Sequence, residues 1–176
     1  MKKYLLPPKN SYKANMHCHT NLSDGKLSPE EVKEAYKANG YSIVAYTDHD
    51  ALIPHPELRD KDFLPLNGFE AEFLEDNGMF YGMRKACHMC IIALDENNIT
   101  MPFYNHTVHF DKNTDKVKID ESLPQFIYNY SPECVNEAIR IARERGFFVT
   151  YNHPVWSFED FKDVSKYKGF FSMENH

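Results

Sequence analysis

Tyr41-Ser42-Ile43-Val44-Ala45-Tyr46-Thr47-Asp48-His49-Asp50 is the stretch on which the fold turns. Its first seven residues form a nearly unbroken apolar and β-branched run. A strand with that pattern is covered on both faces, as in a parallel sheet. The run then breaks into ionisable residues at its carboxyl end, where α/β folds gather their functional groups.

Upstream of this strand stands a helix with clear start and stop signals. Ser28 is the N-cap, Pro29 the first helical residue, and Glu31 completes a capping box. Val32, Ala35, Tyr36 and Ala38 predict its buried stripe, and Gly40 a left-handed close. Before the helix, residues 13–20 read as a first strand. In an extended chain His17 and His19 point to one face and Cys18 to the other. Two imidazoles so placed are a chelating pair by geometry. The turn Ser23-Asp24-Gly25 then allows Asp24 to return an oxygen ligand towards them.

Downstream, a strand within residues 63–73 puts Glu70 and Glu72 on one face, so either could be the ligand. After the turn Glu75-Asp76-Asn77-Gly78, an apolar run over 86–94 places His88 on a face with Cys90 and Ile92. Residues 97–130 alternate aromatic, polar and turn types, which predicts a hairpin-like excursion rather than core. Ser131-Pro132-Glu133-Cys134 opens a second helix with the stripe Val135, Ala138, Ile139 and Ala142, closed by Gly146. Residues 147–151 form a strand ending in Asn152-His153-Pro154. A short helical piece over 158–164 and a last strand over 169–174 follow. Strands alternating with helices predict one α/β domain over residues 1–176 with mainly parallel strands.

Composition narrows the function classes. The chain has 176 residues, is 42% hydrophobic and carries a formal charge of −6. That balance speaks against general nucleic-acid binding, which needs a basic face, but not against an anionic substrate met by metal ions. No apolar run is long enough to span a membrane. The basic-then-apolar start is stopped by Pro7 and Pro8, too early for a signal peptide, so a cytoplasmic location is expected. Of the four cysteines, Cys87 and Cys90 have C-x-x-C spacing without a second pair, and all four are expected to be buried free thiols. His55, His106 and His109 read as surface residues, and Trp156 as a packed aromatic that could also stack on a base or sugar.

The other histidines collect at strand ends: His17 and His19, His49 and His153, with Glu70 on a fourth strand and His88 early in a fifth. Imidazoles with a few carboxylates suit zinc, manganese or iron better than calcium or magnesium alone. In order, these residues stand in H-x-H-T with S-D-G (His17 to Gly25), T-D-H (Thr47 to His49), G-x-E (Gly68 to Glu70), the lone His88, and N-H-P (Asn152 to Pro154). With these five motifs, from about Met16 onward, the sequence resembles the polymerase and histidinol phosphatase (PHP) family of metal-dependent phosphoesterases.

The resemblance implies a distorted TIM-like barrel and a centre of two or three divalent transition-metal ions (Zn, Mn or Fe) that activate water as hydroxide. It implies one ion held by His17, His19 and Glu70, a second sharing Glu70 and adding His88 and His153, and a third held by Asp24 and His49. Asp48 is expected to orient an imidazole, and Arg84 is a candidate grip on the substrate phosphate. The implied activity is hydrolysis of a small phosphomonoester or nucleotide-type phosphodiester; the alternative is a non-catalytic PHP domain acting as a binding module. The family's closing D-x-H motif has no match after His153. Glu174-Asn175-His176 imitates it, but its surroundings resemble the family's preceding strand. The chain is also short of the roughly 200 residues or more of a barrel with helices between strands. These features lead to the expectation that it is the N-terminal part of a longer protein, incomplete at its C-terminus.

Overall fold

Two-residue alternation sorts the chain into faces. The computed structural model describes residues 11–80, 83–107, 113 and 115–174. Its elements are β1 (Ala14–Asn15), α1 (Pro29–Ala38), β2 (Ile43–Tyr46), β3 (Leu64–Leu74), β4 (Ala86–Ala93), α2 (Pro132–Glu144), β5 (Phe147–Asn152), α3 (Phe161–Val164) and β6 (Ser172–Met173). The strands form one sheet in chain order, β1 to β6. Phe69, Ala71 and Phe73 of β3, Cys87, Met89 and Ile91 of β4, and Phe147, Val149 and Tyr151 of β5 share the outer core with the stripe of α2. Intervening residues face inward, where Ala45, Cys90 and Ile92 make a small apolar cluster. Glu70, His88 and Asn152 continue that inner face towards one end of the sheet.

Expecting mainly parallel strands needs one correction. β1–β2, β2–β3 and β5–β6 are parallel, but β4 is antiparallel to both β3 and β5. β4 alone is therefore reversed. The link after β3 is too short for the crossover that a parallel neighbour needs. Reversal has a functional result: the amino end of β4 lies beside the carboxyl ends of β3 and β5. His88, early in its strand, pairs across to Glu72 and Asn152. The sheet curls into an open half-barrel, and side chains beyond β1 and β6 meet: His17 Nδ1 lies 2.9 Å from Glu174 Oε2.

Several local expectations also shift. The first strand is only two residues long, and His17 and His19 lie beyond it. Ser28 and Glu31 form the capping box, and Gly40 has φ of +76°. Only Val32 and Tyr36 of the α1 stripe are covered, while Ala35 and Ala38 are exposed. The described residues of 97–130 are not simply an excursion away from the core. They form no named strand among the described residues, and Met101, Phe103 and Tyr104 are buried against the sheet. Three aromatic rings, Phe103, Phe126 and Tyr128, pack tilted and edge-to-face into that cover. His55 is buried against Tyr46 rather than exposed, whereas His106 is on the surface and His109 lies outside the described residues. All four cysteines are free; Cys18 is half-buried and the others buried. Among the described residues no helix is long and apolar enough to cross a membrane.

One buried acid ties the end of the chain to the core. Glu159 accepts hydroxyl hydrogen bonds from Tyr130 (2.9 Å), Tyr151 (2.6 Å) and Tyr167. Burial pushes its carboxyl above the ordinary 4.5, and the three hydroxyls only partly oppose that. The folded state thus holds this proton more tightly than the unfolded chain. The resulting stability is complete below pH 4.5 and is lost as pH rises through the raised value. Glu159→Gln is expected to gain stability relative to wild type as pH rises above 4.5. Denaturant melts of both proteins across that rise check it; a difference independent of pH contradicts it.

Candidate metal centre

Glu70 lies on the inner face of β3 and is 1% exposed. Five imidazoles surround its carboxylate. His19 Nε2 lies 3.0 Å away, His17 Nε2 3.2 Å, His153 Nε2 3.2 Å, His88 Nδ1 3.4 Å and His49 Nδ1 3.5 Å. Asp24 Oδ1 is 2.7 Å from His19 Nδ1, and its Oδ2 is 3.8 Å from His49 Nε2. The structure therefore brings His17, His19, Asp24, His49, Glu70, His88 and His153 together. Glu72, the rival carboxylate, lies 3.1 Å from His88 Nε2, on the ring edge away from Glu70.

Each position has a local cause. Backbone beyond β1 is stitched to the end of β2: Thr47 N–H donates to Cys18 O at 2.8 Å, and Cys18 N–H to Thr47 Oγ1 at 2.9 Å. Asp48 does not orient an imidazole, as the sequence suggested. It accepts from Thr20 N–H, Thr20 Oγ1 and Ser23 Oγ at 2.7, 2.9 and 2.7 Å, and so fixes the loop that carries His19 and Asp24. In an extended strand Asn152 and His153 would face opposite ways. His153 instead takes φ of +24°, which turns its ring back to the centre.

Two contributors were not assigned a part from the sequence. Asn152 Nδ2 donates to Glu70 Oε1 at 2.7 Å and to Cys90 Sγ at 3.0 Å, holding the central carboxylate in place. Its strand parity, shared with Thr150, was the available signal. Glu174 approaches His17 and forms, with His17 and His153, a group whose ligand atoms lie within 4.8 Å of one another. His176, the other half of that E-x-H, lies outside the described residues. Arg84 does not reach the centre; its Nε donates to Met79 O, and its side chain lines an adjoining cavity.

Electrostatics make Glu70 the anionic hub. Burial opposes its charge, but the surrounding imidazoles of His153, His17, His19 and His88 outweigh that and hold its pKa well below the usual range. His88 is pushed up to about 9, because Glu70 and Glu72 overcome the opposing effect of burial. His49 is lowered, chiefly by burial.

This donor set fits metal ions. His17 Nε2 and His19 Nε2 lie only 2.9 Å apart, converging on one point. Both ring nitrogens of His88 are buried without a hydrogen bond. Three more groups meet the same spacing: His17, His19 and Glu70; His19, Asp24 and His49; His49, Glu70 and His88. Imidazole with carboxylate is the donor chemistry of transition metals.

An α/β half-barrel with such a cluster at its strand ends defines the class: a protein with a candidate metal-binding centre in a solvent-facing cleft. A PHP domain model matches residues 15–144, well over half of the chain, and the protein belongs to the PHP family. A 5'-3' exoribonuclease of Haemophilus influenzae is 38% identical over 52 residues, which is 28% of this chain and 19% of that protein's length. A protein of Bifidobacterium adolescentis, provisionally named a metal-dependent phosphoesterase, superposes with a TM-score of 0.57 at 15% identity, over 93% of this chain and 77% of that one. A two-domain protein of Bacteroides vulgatus with a PHP-like phosphoesterase region gives a TM-score of 0.43 at 16% identity, over 85% and 37%.

Proposed function

We propose that the protein hydrolyses a phosphoester in a metal-dependent reaction. The observation that carries this reading is the ionised, buried Glu70 ringed by five imidazoles. His17, His19 and Glu70 would hold one ion, Glu70, His88 and His153 a second, and Asp24 and His49 a third, with zinc, manganese or iron as candidates. Bound there, such ions lower the pKa of water towards neutrality and offset charge on a phosphoryl group.

The chain's own residues supply the setting. Asn152 fixes the rotamer of Glu70. The Asp48-anchored loop places Asp24 at the rim of a cleft of about 230 Å³ lined by His19, His49, Glu70, His88, His153 and Trp156. That volume suits a phosphoryl group with a small substituent. A small phosphomonoester or a nucleotide-type diester is the proposed substrate, the latter supported by the name of the Haemophilus relative. The proposed setting is the cytoplasm, where free thiols such as these persist.

Chelation tests the proposal. EDTA treatment is expected to bring hydrolysis of a phosphomonoester and a phosphodiester to background, and added manganese or zinc to restore it. Metal content measured on the same samples separates two failures. Turnover that survives complete metal removal overturns the mechanism. Metal uptake without turnover on either substrate class would identify a binding module instead.

A further inference from the structure

Beside the centre, a second cavity of about 480 Å³ opens along Trp156. Leu74, Val155, Trp156 and Phe158 give it apolar walls, and Arg84 adds a cation. His88 and Trp156 line both this cavity and the cleft over Glu70, so the two adjoin at the indole. That indole stands edge-on to His88 and His153, with ring centres 5.6 and 5.3 Å apart. Val155, Trp156 and Phe158 are 75, 64 and 58% exposed. Large apolar side chains gathered in water beside a polar centre mark a binding surface.

We propose that this cavity takes a planar aromatic group carried on the phosphoester, stacked against Trp156, and that Trp156 thereby determines specificity. The inference rests on the phosphoesterase reading. An ester bond keeps the substituent within a few bonds of the phosphorus, so a phosphoryl group at Glu70 delivers its substituent to the indole. The volume lies within the roughly 300–1,000 Å³ of small-molecule sites. A flat ring matches apolar walls with one cation, through stacking and cation–π contact. A polyol would leave its hydroxyls unpaired against Leu74, Val155 and Phe158. A nucleobase and a simple aryl ring share the required chemistry.

Trp156 is the only tryptophan of the chain, so its fluorescence reports the cavity directly. Metal-loaded protein is titrated with adenosine 5'-monophosphate, phenyl phosphate and glycerol phosphate. Saturable quenching by either aromatic ester but not by glycerol phosphate is expected, and the one that binds more tightly identifies the source of the ring. Equal responses to all three, or none, overturn the inference. In turnover, Trp156→Ala is expected to lower the kcat/KM ratio of aromatic over glycerol ester about tenfold, the scale of one lost stacking contact, with Trp156→Phe retaining most of it. An unchanged ratio also overturns it. A protein that hydrolyses none of the three loses the phosphoesterase reading, while the fluorescence titration still decides this one.

Discussion

Glu70→Gln is expected to lower kcat by about a thousandfold or more, equivalent to about 4 kcal/mol of barrier. The substitution keeps shape and removes charge. A neutral amide would face five imidazoles whose nitrogens now lie 3.0 to 3.5 Å from a carboxylate. Its NH2 group would also turn a donor towards Asn152 or a histidine. If Glu70 bridges two ions, both lose their shared anion, so metal content should fall together with kcat. A site that served only to bind substrate would show a raised KM at constant kcat. Steady-state kinetics with metal analysis of the purified variant distinguish these outcomes. Near-normal kcat with full metal content would remove Glu70 from the mechanism.

Gly25→Ala is expected to cost about a hundredfold in activity, the penalty for misplacing a catalytic group by about 1 Å. A methyl group at Gly25 would lie 2.5 Å from His19 O, 2.7 Å from His19 C and 2.8 Å from Thr20 C. All three are backbone atoms, so no rotamer change relieves the contact. The loop must open, and it carries both His19 and Asp24. Overpacking of this kind costs about 1–3 kcal/mol of stability. Asp48 still anchors Thr20 and Ser23, so the domain should fold with a lowered Tm. Activity and melting temperature measured together test this. A variant with wild-type turnover would show that the position of this loop does not govern the site.

The parts of the site that were legible in the sequence are those whose chemistry is explicit in residue type. Histidine and glutamate at strand ends need no knowledge of topology to look like ligands, and five histidines meet at Glu70, with Asp24 set against His19 and His49. Helix starts were legible because capping is local: Ser28 and Ser131 cap as their spacing suggests. Strand direction was not legible. The apolar run of β4 reads the same in either sense, and only the pairing with β3 and β5 reveals that it is reversed. Residues 97–130 were misjudged because aromatic residues at irregular spacing fit no helix or strand period, although they cover the core. The roles of Asp48 and Asn152 were hidden for a related reason. Their hydrogen bonds reach Thr20 and Glu70, 28 and 82 residues away, and no local pattern encodes such partners.

The strand order has a consequence for how the protein assembles. Every pairing in the sheet joins strands that are neighbours in the chain. Strands can therefore be added one at a time, each closing a loop much shorter than the whole. The contact between His17 and Glu174 spans 157 positions and would carry a large loop-closure entropy if it formed first. After β2 to β5 have docked, most of that entropy has already been lost, and the two edges are brought together by the curl of the sheet. The side of the centre where His17 meets Glu174 and His153 is then a late product of folding. A chain that has not yet added β5 lacks His153 and Asn152, and its remaining histidines are still held apart from Glu174. Of the four candidate ligand groups among the described residues, the one made by His17, His153 and Glu174 is thus tied to completion of the sheet, whereas the other three draw only on the chain up to β4.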